Sequence, residues 1–327
     1  MSAILDFNNY SMGFKDSKGI VYNLLDNVSF SIRQGQAIGI VGESGCGKSM
    51  TSLSVMRLLP KQAVVQGGEI FFQEEDLLQK TDREMQTLRG KKISMIFQEP
   101  MTSLNPVLSI GFQLTESYLT HNLGASKAEA RKKAKESLEL VEMPNAEARL
   151  SQYAHEFSGG MRQRVMIAMA MICNPELLIA DEPTTALDVT IQMQILEVMK
   201  NLKNKCSYMV ITHNLGVVAE LCEEVVVMYA GNVVEAGSLT EIFDRPTHPY
   251  TQGLMAAIPT LSTEKNKLYT IPGSVPSIGS FGDGCRFAGR CSHHMEKCLA
   301  QKPGPIQLLG RNHRVACWLA DDLGVSE

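Results

Sequence analysis

The sequence predicts an α/β protein, in which helices cover a sheet, followed by a small irregular C-terminal domain. Three features support this prediction: short apolar runs of strand length, a stretch rich in Ala, Glu, Lys and Leu, and a tail rich in proline and glycine. The 327 residues are enough for one large or two modest domains with full cores. With 44% hydrophobic and 20% charged residues, the composition is that of a globular protein.

The net charge and the N-terminal sequence limit where in the cell the protein is expected. A formal net charge of −4 provides no general attraction to nucleic acid or anionic lipid. The N-terminal MSAILDFNNY has no basic region and carries Asp6 where a signal peptide is apolar. The longest apolar run, residues 165–173, is far shorter than the roughly 20 residues that span a bilayer. We therefore expect a soluble cytosolic protein that reaches a membrane only through partners.

Four apolar runs end in polar residues. They are residues 37–41, 93–97, 177–180 and 208–212, followed by GESGCGKS, Gln98, Asp181-Glu182 and His213 respectively. Runs this short, apolar on both faces, are typical of parallel strands covered by helices. Because ligands bind outside the carboxyl ends of such strands, we predict a binding site formed by these polar residues.

The first of these strand ends contains a phosphate-binding motif. Gly42, Gly47, Lys48 and Ser49 fit G-x-x-x-x-G-K-[ST], in which glycines let backbone N–H groups surround phosphate oxygens. Lys48 supplies a cation for the β- and γ-phosphates, Ser49 a ligand for Mg²⁺, and the helix predicted over residues 48–59 a positive end. The predicted nucleotide-binding residues here are Gly42, Ser44, Gly45, Cys46, Gly47, Lys48, Ser49 and Met50.

The other strand ends carry candidate catalytic residues. Asp181 is suited to hold Mg²⁺, and Glu182 to orient or deprotonate an attacking water. His213, at the end of another strand, can reach the γ-phosphate. Each of these, and Gln98, would alone be read as an ordinary loop, capping or core residue. Their coincidence with the phosphate-binding loop favours the catalytic interpretation.

Between Gln98 and Asp181 the composition becomes helical. Residues 107–150 predict helices with a solvated, charged face. The following FSGGM places Ser158 as the N-cap of another helix, with apolar residues at helical spacing after it. Ser158, Gly159 and Gly160 would offer a hydroxyl and bare N–H groups to an anion. An ordinary capped helix is the alternative.

The tail contains four of the eight cysteines. After Asp244, prolines and glycines predict irregular structure that needs a covalent or metal staple. Cys285, Cys291, Cys298 and Cys317 are spaced C-x5-C-x6-C-x18-C. A reducing cytosol disfavours disulfides, and structural zinc sites prefer tighter pairs. The spacing thus favours an iron–sulfur cluster, with zinc, disulfides and unligated thiols as alternatives.

These motifs, in this order, resemble the nucleotide-binding subunits of ATP-binding-cassette (ABC) transporters over roughly residues 4–245. The resemblance lies in the phosphate-binding loop, Gln98, FSGGM, LLIADEP, Ala186-Leu187-Asp188 and His213. The phrases FQEPMTSLNP at 97–106 and HPYTQGL at 248–254, with the cysteine-rich tail, are similar to ATPase subunits of bacterial dipeptide and oligopeptide importers.

The resemblance implies a fold and its division into domains. The fold is a P-loop ABC ATPase cassette with a mixed-sheet core and a helical subdomain, followed by a small irregular, cysteine-rich C-terminal domain. The cassette would span residues 1–245, with the helical subdomain at about 107–170. Residues 246–327 would form the C-terminal domain, stapled by a metal cluster. Related importer ATPases carry a 4Fe–4S cluster in this tail, with zinc as the alternative here.

The resemblance also implies roles for the site residues. Two ATPase subunits would pair head to tail around two ATP molecules, each ATP meeting Ser158, Gly159 and Gly160 of the other subunit. The implied catalytic residues are Glu182, His213 and Gln98, the Mg²⁺ ligands Ser49, Gln98 and Asp181, and the cluster ligands Cys285, Cys291, Cys298 and Cys317. An aromatic residue would stack on adenine, with Phe14 preferred to Tyr22.

The implied function is that of an ATP-hydrolysing subunit, a translocase component, on the cytoplasmic side of the cell membrane. It would energise import of dipeptides or oligopeptides, with a homologous second ATPase, two membrane permeases, an extracytoplasmic binding protein and no nucleic acid as partners. Nickel-chelate, haem and antimicrobial-peptide import are the alternatives. A non-transport ABC ATPase would need coiled-coil insertions, a tandem cassette or a basic face, none of which this sequence has, and an iron–sulfur assembly scaffold would not explain HPYTQGL.

The chain departs from the family pattern in two places. Phe157 and Met161 stand where the commonest signature, Leu-Ser-Gly-Gly-Gln, has Leu and Gln, and Asn214 replaces an aspartate. The Ser-Gly-Gly core is intact, so we expect function with altered tuning. The sequence leaves open the transported substrate, whether the partner ATPase is an identical chain, and whether the cysteines serve a structural or a redox role.

Overall fold

A computed structural model describes residues 3–98, 103–185, 187–258 and 269–321. Ala186 and residues 99–102, which belong to two of the quoted motifs, lie outside the described residues. The strands of the described part are β1 Ala3–Lys15, β2 Val21–Arg33, β3 Ala37–Val41, β4 Ala63–Phe72, β5 Glu75–Asp76, β6 Ile93–Ile96, β7 Leu177–Asp181, β8 Ser207–Ile211, β9 Glu224–Tyr229, β10 Asn232–Ser238, β11 Ile306–Gln307 and β12 His313–Val315.

The described part of the chain also contains α-helices. They are α1 Lys48–Met56, α2 Asp82–Leu88, α3 Ile110–His121, α4 Lys127–Leu140, α5 Ala146–Arg149, α6 Gly159–Met171, α7 Val189–Leu202, α8 Leu215–Leu221, α9 Leu239–Asp244, α10 Pro249–Ala256 and α11 Glu296–Ala300. In the described part, none of them is both long and apolar enough to cross a membrane.

The chain forms two compact units. The first contains Leu77–Ile211 with Ile32–Ala37 and the first described residues up to Ile4. The second contains Leu5–Ser31, Ile38–Asp76 and the described residues from Thr212 onward. The predicted boundary at residue 245 between cassette and tail stays a prediction.

The first unit contains three parallel strands in the order β8-β7-β6. All residues of β7 and β8 are buried, as expected of strands covered on both faces. The helices predicted within 107–150 are α3, α4 and α5, and the serine side chains of Ser109 and Ser126 cap α3 and α4. The predicted strands and helices of this region are confirmed, with shifts of one residue at some strand ends.

The second unit contains two sheets. One is antiparallel, in the order β2-β1-β4-β5, and the other is mixed, in the order β11-β12-β10-β9-β3. In the mixed sheet β3 lies parallel to β9, whereas β10 runs antiparallel to both of its neighbours, β9 and β12. The predicted strand over residues 37–41 is β3, all of whose residues are buried. The mixed-sheet prediction is confirmed.

Two sequence predictions were wrong at element ends. The helix expected over residues 48–59 ends at Met56, because Arg57 adopts a left-handed conformation with φ of 48° and donates its N–H to Ser54. The tail was expected to be irregular directly after Asp244, yet α10 occupies Pro249–Ala256. Proline at the first helical position needs no N–H partner and favours this helix start.

A neutral histidine caps α10. The Nδ1 atom of His248 accepts the backbone N–H of Tyr250 at 3.0 Å. Burial lowers the pKa of His248 to about 4, so the ring is uncharged near neutral pH and its Nδ1 keeps a lone pair. The first two residues of HPYTQGL therefore form a helix start, in which a histidine cap is followed by proline.

A buried contact between a histidine and a glutamate fastens the last hairpin to β10. His313 and Glu235 are both fully buried, and Nε2 of His313 lies 2.6 Å from Oε1 of Glu235. The same carboxylate accepts the backbone N–H groups of Thr247 at 2.6 Å and His248 at 3.1 Å. One glutamate thus holds three chain segments, β10, the start of α10 and β12.

We expect Glu235→Gln to lower the free energy of unfolding by about 3 kcal/mol, since the amide would present N–H to donors and leave His313 without its carboxylate. Urea denaturation followed by circular dichroism measures this change. The matched control is Glu139→Gln, because Glu139 is 55% exposed and lies 3.8 Å from Lys135. The control should change stability by less than about 0.5 kcal/mol. Equal stability of the two variants would contradict a structural role for Glu235.

Candidate active site

The phosphate-binding loop runs so close to its neighbours that two glycines are required. A Cβ at Gly42 would lie 2.2 Å from the carbonyl oxygen of Met228 on β9. A Cβ at Gly47 would lie 2.5 Å from Cδ2 of Leu25, and Gly47 has φ of +102°. These contacts give a structural reason for both glycines of the motif, besides access for phosphate.

The motif lysine lies over the loop. Nζ of Lys48 donates to the carbonyl oxygens of Gly42 at 2.7 Å and Glu43 at 3.0 Å. Gly47 caps α1 without a side chain, so the helix begins with backbone N–H groups that no side-chain cap occupies. Lys48 and this nine-residue helix place positive charge at the loop, which suits a polyphosphate.

The remaining motif residues differ in exposure. Ser44 and Gly45 are exposed at the tip of the loop, and Ser49 and Met50 are half-buried in the first turn of α1. Burial raises the pKa of the Cys46 thiol, which agrees with a neutral thiol that fills space behind the loop.

His213 follows the end of β8 and is exposed. The preceding Thr212 donates its N–H to the carbonyl oxygen of Ile40, at 3.2 Å, one residue before the end of β3. Asn214 caps α8, and its Oδ1 accepts the N–H of Gly216 at 2.9 Å. An aspartate would accept the same bond, so this departure from the family pattern keeps the local structure.

The two candidate adenine-stacking residues lie on different strands. Phe14 is half-buried on β1, where it is paired with Ala63 of β4. Tyr22 on β2 donates its hydroxyl to Asp16 at 3.4 Å, and a Cβ at Gly279 would lie 2.7 Å from its ring. The tail thus packs on Tyr22. The preference for Phe14 stays a prediction.

In the first unit the two candidate acids follow one another in different conformations. Asp181 is the last residue of β7 and is 4% exposed. Glu182 has φ of 51°, donates its N–H to Ile211 at 2.8 Å and accepts the Thr185 hydroxyl at 2.8 Å. A left-handed glutamate is uncommon and costs free energy, and such residues cluster at functional sites.

Gln98 lies two residues beyond β6 and is exposed. The register pairs Ile96 of β6 with Ala180 of β7, so Asp181 ends one of two neighbouring parallel strands and Gln98 lies just beyond the end of the other. This is the arrangement that the strand pattern predicts for them. Gln98 and Asp181 belong to the first unit, whereas Ser49 and His213 belong to the second.

The Ser-Gly-Gly segment starts α6 as predicted. The Ser158 hydroxyl accepts the N–H of Met161 at 3.4 Å, and Ser158 and Gly159 are exposed. Gly160 is buried, and a Cβ there would lie 2.4 Å from Cγ2 of Ile191. Phe157 is 3% exposed, so the departure from the common leucine lies in the core.

The four tail cysteines line one small cavity in the second unit, together with His248 and Trp318. All eight cysteines of the chain are free, so the disulfide alternative is wrong. Within the described ranges, no three or more His, Cys, Asp or Glu side chains are arranged to hold a single metal ion.

Sequence reasoning missed one contact of the loop. The guanidinium of Arg290, in the cysteine-rich tail, donates to both carboxylate oxygens of Glu43, at 2.5 and 3.1 Å. This contact raises the pKa of Arg290. Glu43 is a variable position of the phosphate-binding pattern, and its partner is 247 residues away, so no local signal pointed to it.

Comparisons with known proteins agree with this site. A family profile described as ABC transporter matches residues 25–185, and one described as oligopeptide/dipeptide transporter, C-terminal region, matches residues 234–298. The dipeptide transport ATP-binding protein DppD of Bacillus subtilis is 48% identical over 98% of this chain and 96% of its own length. The oligopeptide transport ATP-binding protein OppD of Salmonella typhimurium is 45% identical over 97% and 94%.

A solved dimeric structure of the ATP-binding cassette MJ0796, bound to ADP and Pi, is also similar. It is 28% identical with a TM-score of 0.64 and covers 72% of this chain and 98% of its own. The fold and the phosphate-binding loop thus define an ABC ATPase. The chain belongs to the family of ATP-binding proteins of dipeptide and oligopeptide ABC transporters. It is the ATPase subunit of a peptide import complex, in which ATP hydrolysis is coupled to transport.

We expect Gly160→Ala to destabilise the protein by about 1–3 kcal/mol, because its methyl group would overlap Ile191. Gly159→Ala is the matched control, since its Cβ would meet nothing closer than Leu187 at 3.6 Å. An alanine in the first turn of α6 should leave stability unchanged or raise it by about 0.5 kcal/mol. Urea denaturation of both variants tests the pair. Equal losses would contradict the packing difference.

Proposed function

We propose that the chain binds and hydrolyses MgATP with the residues that follow its strand ends. In the second unit, the loop from Gly42 to Ser49 binds the phosphates, Ser49 ligates Mg²⁺ and His213 contacts the γ-phosphate. This proposal is supported by the Lys48 ammonium and by the start of α1, whose N–H groups have no side-chain cap; together they favour an anion.

In the first unit, we propose that Asp181 and Gln98 ligate Mg²⁺ and that Glu182 orients or deprotonates the attacking water, with Gln98 and His213 assisting catalysis. The left-handed backbone of Glu182 supports different roles for the two adjacent acids, because the chain leaves the extended conformation of the strand at the second one. Thr185 holds that carboxylate at 2.8 Å, which limits its rotation.

The proposed catalytic unit contains two ATPase subunits. Ser158, Gly159 and Gly160 of one subunit would complete the site of the other, and two ATP molecules would lie between them. The exposed Ser158 and Gly159 at the start of α6 support this, as does the dimeric form of the related cassette MJ0796. Phe14 would stack on adenine.

The proposed complex has a homologous second ATPase, two membrane permeases near Gln98 and an extracytoplasmic binding protein for the peptide. The chain would act at the cytoplasmic face of the membrane as a peripheral subunit. ATP binding would close the ATPase pair and drive the permeases, and hydrolysis would reopen it. Support comes from the family membership and from the exposed Gln98, which is available to a partner.

We expect Glu182→Gln to slow ATP hydrolysis by the assembled transporter at least about 100-fold, since the amide cannot accept the proton of water. MgATP binding should persist, because the loop is unchanged. Glu176→Gln, which alters a partly exposed acid 3.5 Å from Lys92, is the matched control and should hydrolyse ATP normally. Phosphate release in lipid vesicles measures both rates. A wild-type rate in Glu182→Gln would contradict its proposed role.

We further propose that residues 246–327 form a C-terminal domain in which Cys285, Cys291, Cys298 and Cys317 bind a 4Fe–4S cluster, with zinc as the alternative. One zinc ion needs four donors about one bond length away, whereas each iron of a cluster takes its own cysteine. The proposal is supported by four cysteines without disulfide partners that line one cavity of the second unit.

Anaerobic purification should yield about four irons and four sulfides per chain, with a broad absorbance near 400 nm. Cys291→Ser should lose most of this iron, whereas Cys173→Ser, outside the tail, should retain it. One zinc and no iron would contradict the cluster. Normal ATPase activity with reduced stability in Cys291→Ser would favour a structural over a redox role.

A further inference from the structure

Every polar group of Glu43, the second residue of the phosphate-binding loop, has a partner. Its carbonyl oxygen accepts Nζ of Lys48 at 3.0 Å, and its backbone N–H donates to the Tyr250 hydroxyl at 2.9 Å. Its carboxylate accepts two bonds from Arg290. Tyr250 and Arg290 both lie beyond the ATPase motifs, in the HPYTQGL segment and the cysteine-rich segment. The ATPase mechanism uses neither of them.

Residues other than Glu43 also hold the Arg290 side chain in place. Its Nε donates to the carbonyl oxygen of Pro272 at 2.8 Å and its Nη2 to that of Ile271 at 3.3 Å. Its side chain is 7% exposed, and the Tyr229 hydroxyl lies 3.4 Å from Nη1. An arginine fixed in this way loses little conformational entropy when it binds a carboxylate through two parallel bonds.

Tyr250 is positioned just as firmly. It is fully buried in α10, and its ring centroid lies 4.7 Å from that of Tyr229 and 5.4 Å from that of Phe287. The cap from His248 fixes the start of the helix that carries it. The Tyr250 hydroxyl therefore reaches the loop from a rigid cluster of rings, and its oxygen satisfies a backbone N–H that would otherwise lack an acceptor.

The charge of Glu43 matters for an anionic ligand. A carboxylate within a phosphate-binding loop repels phosphate, and this repulsion is strong where water is partly excluded. A bidentate arginine neutralises the carboxylate and draws it towards the tail, on the side of Arg290. With the Glu43 carboxylate paired to Arg290, the ammonium of Lys48, which donates to two carbonyl oxygens of the loop, supplies positive charge there.

We propose that Arg290 and Tyr250 are positioning residues for ATP binding: the tail clamps Glu43, fixing the shape of the phosphate-binding loop and cancelling its negative charge. The proposal rests on nucleotide binding by the loop. It assigns to the HPYTQGL segment and to the residue before Cys291 a function at the ATP site, and it gives the tail a direct contact with that site.

The test is the affinity of the full-length chain for MgADP, measured by calorimetry at low and at high salt. Arg290→Gln should bind MgADP roughly tenfold more weakly at low salt, as expected when one charge-assisted contact is lost. The loss should shrink as salt screens the unpaired Glu43 carboxylate. The double variant Glu43→Gln/Arg290→Gln should recover to within about threefold of wild type, because the repulsive charge is gone.

Arg286→Gln is the matched control. Arg286 lies in the same cysteine-rich segment, is 5% exposed and pairs with Asp26 at 3.1 Å instead of with a residue of the phosphate-binding motif. It should bind MgADP like wild type. Lys48→Ala tests the assumption that the nucleotide binds at the phosphate-binding loop. If this variant also binds MgADP normally, the nucleotide does not use the loop, and the proposed function fails independently of the clamp.

Three results would overturn the clamp: wild-type affinity in a folded Arg290→Gln, an equal loss in Arg286→Gln, or no recovery in the double variant. Arg290→Lys should recover part of the affinity, since it restores the charge without the bidentate geometry. If Arg290→Gln does not fold, Tyr250→Phe carries the test, because it removes one oxygen from a ring of the same shape. It should bind MgADP about threefold more weakly, and unchanged affinity would contradict the proposal.

Discussion

The close approach of the phosphate-binding loop to β9 is the constraint on which the second unit depends. Gly42 passes so near the carbonyl oxygen of Met228 that no side chain fits, so the loop cannot shift without moving a buried strand. Lys48 then bonds two loop carbonyls from inside, and Glu43 is held from outside by Tyr250 and Arg290. A rigid loop presents its N–H groups in one arrangement, and such preorganisation is what electrostatic binding of phosphate needs.

The first unit shows how one short sequence separates two carboxylates. Asp181 completes a buried strand, whereas the next residue, Glu182, takes a left-handed conformation and hydrogen-bonds Thr185. The backbone bond from Glu182 to Ile211 on β8 supports this uncommon conformation. Adjacent acids in unlike environments can take unlike tasks, which is how enzymes commonly divide metal binding from water activation.

Polar contacts as well as apolar packing attach the tail to the rest of the second unit. One cluster of buried apolar residues in the tail is formed by Leu308, Val315 and Ala320. Basic side chains of the tail also pair with acidic residues from the N-terminal part of the second unit and from β10. The pairs are Arg286 and Lys302 with Asp26, Arg290 with Glu43, and His313 with Glu235. Because such pairs have strict geometry, they fix how the tail docks even where they add little net stability.

The sequence by itself determined the buried strands, the starts of α1 and α6 and the phosphate-binding loop, because these depend on periodicity, caps and glycine spacing within a few residues. It missed helix α10, the early end of α1 and the conformation of Glu182, where a single residue's conformation or cap decides. Only the tertiary structure chose the partners of Glu43 and Glu235. Arg290 follows Glu43 by 247 residues. From the sequence alone, a charged residue is expected to be solvated, and only the fold shows which opposite charge lies beside it.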